Sequence, residues 1–174
     1  MVIEENPFDH ILYEFSMYLK ASLMRCSDQF IINLMVDSRL VHMRNLAYFF
    51  CEQSQRDKKY LHYSMYISGK KVREVDQALF KEVQKITSNA TCHLLKGRLN
   101  DSFKQETLLF EQRVFPIFVS MIKDFILELD RNINPTFKSN WENEIIQVRA
   151  KELKQLIQNY EAQLFKINHT ITSQ

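Results

Sequence analysis

The stretch from residue 30 to residue 50 is apolar at most positions, and only a few polar side chains interrupt it. It reads FIINLMVDSRLVHMRNLAYFF, without glycine or proline. Such a run predicts a helix over about residues 29–53 that is covered by other helices on several sides. Charged and amide groups in a covered helix need partners, because burying them unpaired costs about 2–7 kcal/mol each. The polar side chains concerned are Asp37, Arg39, His42, Arg44 and Asn45.

The segments on either side of this run also carry apolar residues at helical spacing. Asn6 and Pro7 begin the first helix, as an N-cap and a proline in the first turn. The aromatic segment 60–67 predicts a helical turn packed on the bundle. A longer pattern begins at Val72 and continues to about Leu95, which predicts another helix.

The C-terminal half carries two further helical patterns. The first runs over about residues 102–129, and Pro116 is expected to kink it or to divide it into two helices. The segment Ser139–Glu142 has capping-box spacing and predicts a last helix over 139–168. Its narrow apolar stripe fits either docking on its own bundle or pairing with a second copy of the chain.

Length and composition fit one helical domain. The chain has 174 residues, of which 45% are hydrophobic, with only two glycines and three prolines. This composition supports a sizeable core and long helices with short connections. We therefore expect an all-α fold over residues 1–174, as a single bundle of five to seven helices with the apolar helix at its centre.

Charge, cysteine content and the N-terminal segment favour a cytoplasmic protein. The net charge is +2 and the pI is near 8.4, too mild to indicate binding to nucleic acid or to an anionic membrane. Three cysteines without a CxxC pair favour reduced thiols over a disulfide or a zinc site. The acidic residues near the N-terminus do not fit a signal peptide, and charges interrupt every apolar stretch that approaches a membrane span.

Helical periodicity divides the polar residues of the apolar segment between two faces. At about 100° per residue, Arg39, His42 and Asn45 share one face, whereas Arg44 points roughly opposite His42. One interpretation is a buried network that fixes helix register, in which an arginine pairs with a carboxylate of Asp37 or a glutamate. His42 would then bind a serine or carboxylate, and Asn45 a backbone carbonyl. The other interpretation is a polar binding pocket between helices.

A second polar cluster, formed by Asn89, His93 and Arg98, is the expected source of partners. Asn89 and His93 are four residues apart and share a helix face. Arg98 joins them only if the helix bends or ends near Gly97. Where the two clusters meet, the candidate catalytic residues are His42, Arg44, Asn45, His93 and Arg98.

These two segments carry a resemblance to a protein family. HMRNLAYF at residues 42–49 resembles the His-x-Arg-Asn-Leu-x-x-Phe helix of a group of bacterial all-helical proteins without an assigned activity. HLLKGR at residues 93–98 resembles their His-Leu-Thr-x-x-Arg element. The likeness covers roughly residues 30–100, and it implies the same five candidate positions as signature residues. It implies no reaction.

A weaker resemblance concerns HEPN-type ribonucleases, helical proteins that cleave RNA without metal through an Arg-polar-x-x-x-His element across a dimer. Arg44 and Asn45 are similar to the first half of that element, and Tyr48, Phe49 and Phe50 stand where its histidine would follow. The resemblance implies an alternative function as a metal-independent ribonuclease. A histidine would act there as general acid–base, and an arginine would stabilise phosphate charge.

Other chemistries lack the residues that they need. The chain has no Gly-rich phosphate loop, no GxSxG and no HExxH, and no glutamate precedes a histidine by three positions. We expect no metal, no cofactor and no membrane contact. The basic segment 70–73 beside Tyr60, Tyr63 and Tyr66 is a weak candidate for contact with nucleic acid through charge and stacking.

The leading functional hypothesis is a cytosolic helical interaction or binding module with a polar network between its helices. Its expected partner is a second copy of the chain, as a homodimer, or another protein.

Overall fold

The computed structural model describes residues 6–24, 26–51, 61–69, 72–88 and 101–171, with side chains from 105 to 162 in the last stretch. The described residues form six α-helices and two short 3₁₀ helices, joined without extended strands. This confirms the predicted all-α fold and helix number. In chain order the α-helices are α1 Pro7–Leu23, α2 Gln29–Phe50, α3 Gln77–Thr87, α4 Asp101–Asn132, α5 Lys138–Trp141 and α6 Glu144–Ile171, and the 3₁₀ helices are Tyr63–Met65 and Pro135–Phe137.

The first three helices begin at side-chain caps. Asn6 Oδ1 accepts a hydrogen bond of 3.1 Å from the N–H of Phe8, as its position before a proline predicts. Asp28 caps α2 and Asp76 caps α3 in the same way, each through a hydrogen bond of 2.8 Å. Each cap satisfies a backbone donor that has no partner within its helix, and so fixes where the helix begins.

Helix α3 is shorter than its sequence pattern predicts. It begins at Gln77, five residues later than expected, because the Asp76 cap ends the extended segment before it. Val72 and Val75 are buried in the core without being helical. The N–H of Val75 donates across to the backbone at the end of α2, at 3.0 Å. The predicted continuation to Leu95 lies outside the described residues beyond position 88.

Helix α4 runs through Pro116 as a single element, so the predicted division at this residue is wrong. Proline lacks the N–H that would bond the carbonyl four positions earlier. That carbonyl belongs to Gln112, an exposed residue, where solvent can replace the missing donor.

The last helix begins at Glu144, later than the capping-box spacing predicts. Its N-cap is Asn143, whose side chain accepts from the N–H of Ile145 at 3.0 Å. The residues from Lys138 to Trp141 form the separate short helix α5. Helix α6 packs against α1 and α4 of the same chain, which agrees with the docked alternative for this segment.

The aromatic segment before α3 forms the predicted helical turn. Tyr63 begins the 3₁₀ helix Tyr63–Met65 and Tyr66 caps its C-terminal end, and both side chains are almost fully buried. Tyr66 accepts from Asn134 N–H at 2.8 Å through its carbonyl, which ties this turn to the end of α4.

One continuous apolar cluster fills the space between the helices. Its centre is aromatic: the ring of Phe125 on α4 contacts Phe15, Phe49 and Phe50 at centroid distances of 5.9, 5.1 and 6.2 Å. The C-terminal half of α2 therefore lies inside the bundle, in contact with α1, α3 and α4.

The N-terminal half of α2 has a solvent face, so the prediction of cover along the whole helix is wrong. Buried residues on α2 begin only at Leu40. Before that point Phe30 is 70% exposed and Leu34 52% exposed, and Val41 beyond it is 44% exposed. The helix is apolar all round because one face meets the core and the opposite face is an open apolar surface. Among the described residues, no helix combines the length and hydropathy needed to cross a membrane.

Candidate functional site

Two polar contacts join α1 to α2 at Glu14. Its carboxylate Oε2 lies 2.7 Å from His42 Nδ1 and accepts a hydrogen bond of 2.9 Å from Asn45 Nδ2. His42 is only 8% exposed, and the ring of Tyr13 packs edge-on against it at 5.7 Å between centroids. We refer to Glu14, His42 and Asn45 as the Glu14 cluster.

The environment of the cluster keeps Glu14 ionised. Burial raises the pKa of the Glu14 carboxyl. The hydrogen bonds from His42 and Asn45, together with the charges of His42 and His10, lower this pKa by more than burial raises it. The net effect is a lowered pKa. An ionised carboxylate only accepts hydrogen bonds, so His42 Nδ1 carries a proton and donates it.

Arg39, one turn earlier on α2, joins three helices. It donates to Glu111 Oε2 on α4 from Nε at 3.0 Å, and its Nη2 forms an ion-pair contact of 2.7 Å with the same oxygen. Its Nη1 donates to the carbonyl of Ala21 at 3.2 Å. That carbonyl belongs to the last turn of α1, where backbone acceptors have no partner within the helix and a cation favours the helix dipole. Arg39 therefore ties α2 to both α1 and α4.

Only one of the two carboxylate oxygens of Glu111 has a partner in this contact. The hydrogen bond and the ion-pair contact from Arg39 both reach Oε2, and the buried Oε1 has no partner among the described residues. Burial raises the pKa of the Glu111 carboxyl by more than the charge and hydrogen bond of Arg39 lower it. Burial, and then the negative charge of Glu111, also raises the pKa of Tyr18 well above its ordinary value. The Arg39 and Glu111 side chains are largely covered, with 17% and 12% of their surface exposed, which suits a structural role.

Arg44 lies apart from the Glu14 cluster. Its guanidinium carbon sits 6.0 Å from the centroid of the Tyr48 ring, on the side of α2 away from His42. The predicted division of the two residues between opposite faces is therefore confirmed. The predicted carboxylate partner of His42 is confirmed as well. The partner predicted for Asn45, a backbone carbonyl, is wrong, because its amide donates to Glu14.

The second predicted cluster lies outside the described residues. Asn89, His93 and Arg98 belong to segment 89–100, so their pairing with α2 stays a prediction.

Two of the three aromatic residues of the proposed nucleic-acid surface are not available for stacking. Tyr63 and Tyr66 are buried in the core, while Tyr60 lies outside the described residues. A base stacks on an exposed ring. The stacking prediction is therefore wrong for Tyr63 and Tyr66, and for Tyr60 it stays a prediction.

Sequence reasoning missed both glutamates that hold α2. Glu111 carries a visible signal, since buried residues stand four positions before it and three and seven positions after it, at Thr107, Val114 and Phe118. A carboxylate inside such a stripe must lie in the core. Glu14 lies at the edge of the apolar face of α1, where periodicity alone does not separate a solvated side chain from a paired one.

Comparison of the chain with protein-family models, with curated protein sequences and with solved structures gave no match. In the described stretches, no three His, Cys, Asp or Glu side chains come close enough together to hold a metal ion.

Replacing Glu14 by glutamine should lower the free energy of unfolding by about 1–2 kcal/mol near neutral pH, since a charged acceptor shared by two donors is lost. Because the folded pKa of Glu14 is lowered, its contribution is present above pH 4.5 and disappears as the pH falls through the folded value. Urea unfolding of both proteins at neutral and acidic pH measures this. The control Glu152→Gln, on the exposed side of α6, should change little. An equal loss at both pH values for Glu14→Gln would contradict the assignment.

Proposed function

We propose that this protein is a helical interaction module, and that the outward face of α2 is its docking surface. The observation that carries the proposal is the exposure of large apolar side chains along that face, at Phe30, Leu34 and Val41. Contiguous apolar patches on a soluble protein usually mark a contact with another macromolecule. We call Phe30, Leu34, Asp37 and Val41 the outward stripe of α2.

The polar contacts of α2 support a fixed presentation of this stripe. Glu14 fixes the helix to α1, and the pair of Arg39 with Glu111 fixes it to α4. A hydrogen bond between two helices forms only when donor and acceptor face each other. These contacts therefore favour a single rotation of α2 about its axis. The polar network thereby serves binding indirectly, by keeping the apolar stripe pointed away from the core.

The chemistry of the stripe favours an apolar helix as the partner. Its exposed members are Phe30, Leu34 and Val41, whose side chains carry no positive charge for a phosphate backbone or an anionic lipid. Side chains at helical spacing fit the groove or ridge of another helix.

The alternative function, a metal-independent ribonuclease, gains no support from the described geometry. Such a site needs histidine and arginine within reach of one phosphate, whereas His42 and Arg44 lie on different faces of α2. The role of His93 in it stays a prediction.

Leu34→Glu should strongly weaken binding of partner chains, because it replaces an apolar contact in the docking surface with a second carboxylate on the same stripe as Asp37. The measurement is affinity capture with the full chain, comparing wild type with Leu34→Glu. Ile145→Glu supplies a matched control, since Ile145 is 62% exposed on α6, away from the stripe. Capture that is identical for all three proteins would refute the docking surface.

A further inference from the structure

A cleft of about 800 Å³ lies at the end of the bundle where α4 stops and the chain turns into α6. The last turn of α4, the 3₁₀ helix Pro135–Phe137, α5 and the start of α6 contribute its lining. Small-molecule sites in proteins commonly measure about 300–1,000 Å³. The cleft therefore has the size of a ligand site, and no residue of α2 lines it.

Hydrogen bonds fix two walls of the cleft. At the end of α4, the carbonyl of Asn132 accepts from the N–H of Ser68 at 2.7 Å. Between α5 and α6, the carbonyl of Trp141 accepts from Gln147 Nε2 at 2.6 Å. Walls that are already held in place do not have to be ordered by a ligand, which lowers the entropic cost of binding.

The inner lining of the cleft is apolar. It includes Leu129 and Trp141, whose side chains are almost fully buried, and the half-buried Ile133. The ring of Trp141 packs edge-on against Phe8 at 5.2 Å between centroids, which holds the indole in place. The part of a ligand that reaches this lining is therefore apolar, and a flat ring suits the contact with the indole.

Four charged side chains line the cleft, and three of them have a partner. Asp130 accepts from Lys154 Nζ at 2.6 Å, and Lys138 Nζ lies 3.8 Å from Glu142. The fourth is Arg131, whose guanidinium has no ion pair or hydrogen bond among the described residues. A guanidinium binds a carboxylate through two parallel hydrogen bonds. Arg131 is therefore the group that is available to an anion.

We propose that this cleft binds a small organic monoanion, a carboxylate attached to a flat apolar body. The carboxylate pairs with Arg131, and the apolar body lies against Trp141. One unpaired cation matches one negative charge, and a second negative charge on the ligand is repelled by Asp130 and Glu142. The site goes beyond the proposed function, since it is independent of the docking surface on α2.

The fluorescence of Trp141 tests the site directly, because it is the only tryptophan in the chain. The full chain is titrated with phenylacetate and with its neutral analogue phenylacetamide near neutral pH. We expect a saturable change in tryptophan emission with phenylacetate, at a dissociation constant on the order of 1 mM. Because the amide lacks the charge that pairs with Arg131, its dissociation constant should be about three- to tenfold higher.

Arg131→Gln should remove the preference for the carboxylate and leave the binding of phenylacetamide unchanged. Lys81→Gln supplies the matched control, since it also removes one exposed positive charge but lies on α3, which does not line the cleft. This control should keep the wild-type preference.

Three results would overturn the assignment. No saturable change with either compound refutes the site. Equal affinities of the wild type for the two compounds, or an undiminished preference in Arg131→Gln, refute the pairing with Arg131. Tighter binding of phenyl phosphate, which carries close to two negative charges near neutral pH, refutes the limit to one charge. Each of these results leaves the docking surface on α2 untouched, because capture of partner chains tests that surface separately.

Discussion

Arg39→Met should lower the free energy of unfolding by about 3–5 kcal/mol at neutral pH, the cost of leaving one member of a buried ion pair without its partner. Methionine has a similar length and preserves much of the packing. The carboxylate of Glu111 would lose the hydrogen bond and the ion-pair contact that reach it from Arg39, and its second oxygen already has no partner among the described residues. The last turn of α1 would also lose the donor to the Ala21 carbonyl. Urea unfolding followed by circular dichroism measures the loss.

The pH dependence of this loss identifies Glu111 as its source. Burial raises the folded pKa of Glu111 above the ordinary value of 4.5, so the folded state binds more protons than the unfolded state in the window above that value. Stability from this group therefore falls as the pH rises through the window, and more steeply once Arg39 is gone. We expect the cost of Arg39→Met to shrink as the pH approaches 4. A cost that does not change with pH would contradict this explanation.

The double variant Arg39→Met with Glu111→Leu supplies the matched control. Replacing both members of a buried pair by apolar side chains is often nearly neutral. The double variant should therefore recover most of the stability that Arg39→Met loses, and the double-mutant cycle gives the coupling directly. If the losses of the two single variants simply add, the side chains are not coupled.

Phe50→Ala should cost about 3–5 kcal/mol, because it empties the centre of the aromatic core. The ring of Phe50 is fully buried and stacks on Phe15 at 6.0 Å between centroids. It also meets the ring of Phe125 edge-on. Thermal and urea unfolding should both register the loss.

Phe30→Ala is the matched control, with the same substitution in the same helix. Its side chain is 70% exposed, so the free energy of unfolding should change by no more than about 0.5 kcal/mol in dilute solution. Equal losses for the two variants would mean that the open face of α2 is covered within the single chain. In the capture experiment, Phe30→Ala should instead weaken binding of partner chains.

Periodicity located the helices better than their ends. The Asn6 cap of α1 was predictable because the asparagine stands directly before a proline. The start of α3 was not predictable, because Val72 and Val75 continue the apolar spacing although their backbone is extended. A pattern of apolar residues indicates which positions are buried. A buried extended segment can show the same pattern as a buried helix.

Pattern also separated His42 from Arg44, since rotation about a helix axis follows from residue number alone. It did not identify Glu14 and Glu111 as the partners of α2, because those contacts depend on which helices become neighbours.

The amino-acid sequence by itself determined the helical class, the cap of α1 and the rotational position of every side chain on α2. These properties are local, fixed by backbone geometry and by side chains a few residues apart. Only the tertiary structure decided which side of that apolar helix meets the core and which stays open. A helix that is apolar all round has no preferred face of its own, and its orientation follows from Glu14 and Glu111, which are brought to it from distant parts of the chain.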